Sequence, residues 1–83
     1  MYKIVFAKKA ADFLRKLDKI DLERISRKIN EIQISPELGV PLTANLTGLW
    51  KLRIGDYRVI YQIKNEELII LILKIGHRKN IYD

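Results

Sequence analysis

Lys51, Arg53 and Arg58 stand on either side of a Gly55-Asp56 pair, in the stretch W-K-L-R-I-G-D-Y-R-V-I-Y. Alternation over Trp50–Ile54 puts Trp50, Leu52 and Ile54 on one side of a strand and Lys51 and Arg53 on the other. A two-residue link with glycine first suits a type II′ hairpin. That turn pairs Ile54 with Tyr57 and Arg53 with Arg58, and leaves Lys51 two residues along on the same face. Like charges directly across a strand pair cost roughly 0.2–1 kcal/mol. The arrangement turns favourable when a phosphate lies between the groups, because charge-assisted hydrogen bonds form to each. Solvated edge charges that discourage strand-to-strand association are the alternative. They account for Lys51 but not for Arg58, whose strand is the middle one of three.

His77, Arg78 and Tyr82 follow the last apolar segment. An arginine and a tyrosine beside a basic patch can clamp a phosphate and stack on a base, the latter worth about 1–3 kcal/mol. A histidine can move a proton near neutral pH, although a lone histidine next to an arginine is also an ordinary surface residue. Trp50 could stack on a base too, but alternation groups it with Leu52 as core. The sequence has no Gly-rich phosphate loop, no carboxylate cluster suited to Mg²⁺, no Ser/His/Asp set near these residues and no cysteine. No cofactor and no metal site are expected. A nuclease built from these side chains would therefore cut RNA, whose own 2′-OH can attack the neighbouring phosphorus; DNA lacks that nucleophile. Cations suit such a reaction because they stabilise the charge growing on the phosphorane oxygens. A lysine amine can also carry a proton where its surroundings favour the neutral form.

The whole chain is basic. It has 83 residues, a formal net charge of +6 and an isoelectric point near 9.7, with the excess of Lys and Arg spread over both halves. Such a balance points to a polyanionic partner, nucleic acid first and an acidic protein second, or to solubility charge alone. Hydrophobic residues make up 48%, too many for a disordered chain. The longest apolar run, Leu68–Leu73, is far short of the roughly 20 residues that span a bilayer, and no apolar leader with a small-residue cleavage site opens the chain. A single small domain over residues 1–83, in a reducing, cytoplasmic setting and away from membranes, is expected.

The elements that must position these residues follow from periodicity. Residues 2–6 alternate and predict a strand. From Lys8, the residues Ala10, Phe13, Leu14 and Leu17 fall on one helical face. After a break at Asp18 and Asp21, either of which can cap a helix, Leu22, Ile25, Ile29 and Ile32 line a second helical stripe. Ser35–Thr47, with Pro36, Gly39 and Pro41, reads as a connecting loop. Trp50–Ile54, Tyr57–Ile63 and Leu68–Leu73 then form an antiparallel meander. Leu68–Leu73 is apolar on both faces, as in a central strand covered from both sides, and residues 76–83 read as a short polar tail. The fold class is α+β: an N-terminal strand, an α-helical hairpin and a three-stranded meander. The first strand lies beside Leu68–Leu73, and the helices pack on one face of a four-stranded sheet.

The segments L-T-G-L-W-K-L-R-I-G-D-Y-R-V-I-Y (Leu46 to Tyr61) and I-L-K-I-G-H-R-K-N-I-Y (Ile72 to Tyr82) resemble RelE-type toxins of the RelE/ParE superfamily. The order of the preceding strand and helices is similar as well. The resemblance implies the toxin of a type II toxin–antitoxin pair, a metal-independent, ribosome-dependent endoribonuclease. Such enzymes cleave mRNA in the ribosomal A site by 2′-OH attack, leaving a 2′,3′-cyclic phosphate. It implies catalytic positions at Lys51, Arg53, Arg58, Arg78 and Tyr82, with the same residues and His77 touching RNA. Arg58 would bind phosphate, Arg78 would stabilise the leaving group or transition state, and Tyr82 would stack on a base. Many relatives have lysine where this chain has Arg53. A guanidinium stays protonated, so a base role shifts toward Lys51, with His77 or Tyr82 behind it. The implied partners are an acidic RelB-like antitoxin and the ribosome with mRNA in its A site. A ParE-like protein that poisons DNA gyrase without cutting RNA is the alternative, and an inactive homologue that only binds a partner is a third.

Overall fold

A computed structural model describes residues 1–77. Strand β1 (Lys3–Phe6) leads into helix α1 (Lys8–Arg15) and helix α2 (Lys19–Ile34). Short 3₁₀ turns at Pro36–Leu38 and Ala44–Leu46 flank β2 (Val40–Pro41), and β3 (Leu49–Ile54), β4 (Tyr57–Lys64) and β5 (Ile69–His77) complete the sheet. Its order is β1-β5-β4-β3-β2, with β1 parallel to β5 and the other pairs antiparallel. The N-terminal strand thus lies beside the last one, as the apolar character of residues 68–73 predicts.

The helices cover one face. Ile25, Ile29 and Ile32 of α2 and Ala10 of α1 are buried against Ile54, Tyr57, Val59, Tyr61, Ile70, Ile72 and Ile75. Between the two candidate caps the structure divides the labour. The Asp18 carboxylate accepts the Asp21 N–H at 2.9 Å and caps α2, while Asp21 accepts a hydrogen bond from the Tyr57 hydroxyl at 2.8 Å. One carboxylate starts the helix and the next ties it to the sheet.

Three expectations need correction. The sheet has five strands rather than four, because Val40 and Pro41 pair with Lys51 and Trp50 inside the segment read as a loop. Pro41 lacks an N–H, and this two-residue strand sits at the sheet edge, where proline is tolerated. The last strand runs on to His77, so Gly76 and His77 belong to it and not to a polar tail. Helices cover only one face of β5: Ile70, Ile72 and Ile75 are buried beneath them, whereas Ile69, Leu71 and Leu73 on the other side are half-buried. Among the described residues no second layer lies over them, and Leu73 lines a groove there.

Tyr61 holds the new edge in place. Its ring is fully buried. Its hydroxyl donates to the Pro36 carbonyl at 2.7 Å and accepts the Gly39 N–H at 3.0 Å. Burial pushes this phenol above its ordinary value, an effect the Gly39 N–H partly offsets. A Cβ at Gly39 would collide with the Lys51 carbonyl and come within 2.8 Å of the Tyr61 hydroxyl, so only glycine lets β2 approach β3. Tyr61→Phe leaves both backbone groups without this partner and should cost about 1–3 kcal/mol in urea unfolding, with the m-value unchanged. A change below about 0.3 kcal/mol would show that the hydroxyl does not anchor the edge.

Candidate functional site

The β3–β4 hairpin has the register its turn predicts. Leu52 pairs with Val59, Arg53 with Arg58 and Ile54 with Tyr57. Gly55 has φ +58° while Asp56 keeps a negative φ, which is the II′ pattern. Directly paired residues share a face, so Lys51, Arg53 and Arg58 all lie on the side of the sheet away from the helices. Arg53 is exposed, Lys51 and Arg58 are half-buried, and the Arg58 Nε is buried.

Among the described residues, the strands that build this face carry charge of a single sign. The five strands contain no Asp or Glu, and their cations are Lys3, Lys51, Arg53, Arg58, Lys64 and Lys74. The registers put every one of these on the open side: Lys3 pairs with Ile69, Ile69 with Lys64, and Lys74 with Ile60, which in turn pairs with Lys51. A sheet face carrying cations from four strands, with the acidic groups of the described residues confined to turns and helices, concentrates polyanions at its surface. Beside the cations lies a groove of about 560 Å³, with Leu46, Leu49, Ile60 and Leu73 as apolar walls and Lys9, Asn45 and Lys74 as polar lining.

The other expected site residues divide as follows. His77 pairs with Tyr57 and so points to the helix side. Its ring centroid lies 4.8 Å from that of Tyr57 and 6.4 Å from that of Phe13. It is therefore not on the face of Lys51, Arg53 and Arg58. The Asp21 carboxylate that accepts the Tyr57 hydroxyl, together with burial, raises that phenol's pKa, so Tyr57 is a protonated donor that fixes the floor under His77. Trp50 stacks on Tyr61 at 6.4 Å, on the helix side, as its alternation predicts. Arg78 and Tyr82 lie outside the described residues. Sequence reasoning missed Lys74, whose face depends on a bulge in β5.

The family model described as the ParE toxin of the type II toxin–antitoxin system parDE matches residues 4–82. Toxin RelG of Mycobacterium tuberculosis is 40% identical over 45 residues, 54% of this chain and 52% of RelG. The mRNA interferase toxin RelE of Escherichia coli is 26% identical over 80 residues, 94% of this chain and 84% of its own. Among solved structures, the toxin–antitoxin complex RelBE2 of Mycobacterium tuberculosis contains a chain that superposes with a TM-score of 0.84 at 30% identity, covering 93% of this chain and 98% of that one. The archaeal RelE–RelB complex of Pyrococcus horikoshii gives 0.75 at 28% identity, with 95% and 97% coverage.

The opposed arginines carry a stability signature. Arg53→Thr removes the like-charge pair at an exposed position and should raise stability by about 0.2–1 kcal/mol in dilute buffer. The gain should shrink at about 0.5 M salt, where exposed charges are screened. Equal or lower stability of the variant at both salt concentrations, measured by chemical unfolding, would show that the pair carries no strain.

Proposed function

The chain belongs to the ParE toxin family of type II toxin–antitoxin systems, within the RelE/ParE superfamily, and from that premise we propose that it is a ribosome-dependent mRNA endoribonuclease that needs no metal. The observation that carries this reading is the convergence of Lys51, Arg53 and Arg58 on one sheet face whose described strands contain no Asp or Glu, with Arg53 directly opposite Arg58. A protein that only bound gyrase would have no use for three cations gathered beside one turn. The name mRNA interferase borne by the Escherichia coli relative is in keeping with it.

In this mechanism the scissile phosphate of an A-site codon lies over the hairpin. Arg53 and Arg58 bind its non-bridging oxygens, and their charge is worth most as the phosphorane forms. Lys51 accepts the 2′-OH proton, because its amine can lose a proton and the two guanidinium groups cannot. The 2′-oxygen bonds to phosphorus, the bond from phosphorus to the 5′-oxygen breaks, and a proton passes to that leaving oxygen. The products are a 2′,3′-cyclic phosphate and a 5′-OH. Arg78 stabilises the transition state and Tyr82 stacks on the substrate base. The protein acts in the cytoplasm, where an acidic RelB-like antitoxin holds it in check by covering the basic face or displacing part of it. Both complexes cited above pair a RelE-type toxin with its antitoxin.

The test is 5′-end mapping on a message translated in vitro. Wild-type protein should yield A-site cuts with 5′-OH ends, and a single 2′-deoxy substitution at the nucleotide before the cut should abolish cleavage there. Arg58→Ala and Arg78→Ala should each slow cleavage by about 10²-fold or more, as loss of a group that stabilises transition-state charge does. Cleavage that survives the 2′-deoxy substitution would contradict the mechanism. Inhibition of gyrase supercoiling with no mRNA cleavage would favour the ParE-like reading instead.

A further inference from the structure

A bulge in β5 decides which side chains reach the open face. Ile60 of β4 pairs with Lys74, and its neighbour Tyr61 pairs with Ile72, so Leu73 is an extra residue between the two pairings. Up to Ile72 the even-numbered residues of β5 point to the helices, with Ile70 and Ile72 buried there; beyond Leu73 the odd-numbered ones do, with Ile75 buried. An unbulged strand would send Lys74 into the core and His77 to the open face. The inserted residue reverses both. It sets Lys74 in a row with Ile60 and Lys51 across β5, β4 and β3.

We propose that Lys74 is a further RNA-contacting residue, holding a backbone phosphate adjacent to the one bound by Arg53 and Arg58. This rests on the endoribonuclease reading and extends it to the substrate's flanking nucleotide. Two inter-strand spacings put the Lys51 and Lys74 backbones about 10 Å apart, and two lysine side chains reach across that distance to successive parts of one strand. Ile60 between them is 7% exposed although it faces away from the helices; lysine stems can shield such a residue while keeping their ammonium groups in water. Lys74 also lines the apolar groove together with Lys9 and Asn45, so a sugar or base can rest on Leu73 and Leu49 while its phosphate meets the ammonium. Bulges recur where a strand must re-aim a side chain at a site, and this one adds a cation to a face that already carries Lys51, Arg53 and Arg58.

The experiment is single-turnover cleavage of a model mRNA in the A site of purified ribosomes, titrated with wild-type, Lys74→Ala and Lys74→Arg proteins. Loss of one phosphate contact should raise the half-saturating concentration of Lys74→Ala about three- to tenfold, with the maximal rate within about twofold of wild type. Lys74→Arg should restore wild-type values, because either cation serves a phosphate. The variant's deficit should narrow by roughly 2.6-fold when salt rises fourfold, as expected for one fewer displaced counterion on a single strand. Lys28→Ala, on α2 and paired with Glu31, should change none of these. If wild type cleaves and Lys74→Ala matches it in half-saturation, or loses only maximal rate, the inference falls and the endoribonuclease reading stands. If wild type does not cleave at all, both fall.

Discussion

The structure depends on the pleat of the β3–β4 hairpin, with one side buried and one side open. Ile54, Tyr57, Val59 and Tyr61 are buried beneath the helices. A slip of one residue would turn that whole set to solvent. Burying each such side chain is worth about 1.5–3 kcal/mol, while opposing Arg53 and Arg58 costs at most about 1 kcal/mol. Burial wins by a wide margin, so the hydrophobic side dictates the register and the cationic side is carried along with it. A patch that sets like charges opposite each other is held in register by apolar packing on the far side of the same strands.

Three secondary devices keep that hairpin where the site needs it. Tyr61, buried within β4, reaches with its hydroxyl to Pro36 and Gly39, so the edge strand that pairs with Lys51 and Trp50 is tied to the core. Asp18 and Asp21 start α2 and fasten it to Tyr57 at the turn end of β4. The Leu73 bulge re-aims the end of β5. It gives Lys74 to the open face and His77 to the aromatic cluster of Tyr57 and Phe13.

Much of this was legible in the residues. The Gly55-Asp56 turn and the alternation of Trp50–Ile54 sufficed to pair Arg53 with Arg58, because in a two-residue hairpin turn chemistry and burial pattern agree on a single register. The helices followed from their apolar stripes. What escaped depended on contacts between distant segments. Val40-Pro41 has no strand signature, and its pairing is imposed by Tyr61 from 20 residues away. The bulge left no mark in Leu68–Leu73, since a run of apolar residues looks the same in either parity; only the burial of Ile72 and then Ile75 reveals the added residue. The residues alone therefore do not tell which of Lys74 and His77 shares a face with Lys51 and Arg53. Nor do they tell what lies over the apolar outer side of β5: composition reports that a surface is greasy, not what covers it.

The ribonuclease mechanism requires RNA on the cationic sheet face with its scissile phosphate above the hairpin. The most direct measurement is a cryo-electron microscopy structure of the protein on a ribosome whose A-site codon carries a 2′-O-methyl group at the cleaved linkage, which blocks the attack. The account predicts Arg53 or Arg58 guanidinium nitrogens within about 2.7–3.2 Å of the non-bridging oxygens of that phosphate, with the Lys51 amine beside the 2′-oxygen. RNA lying along the helices, or an open face that meets only protein, would contradict it.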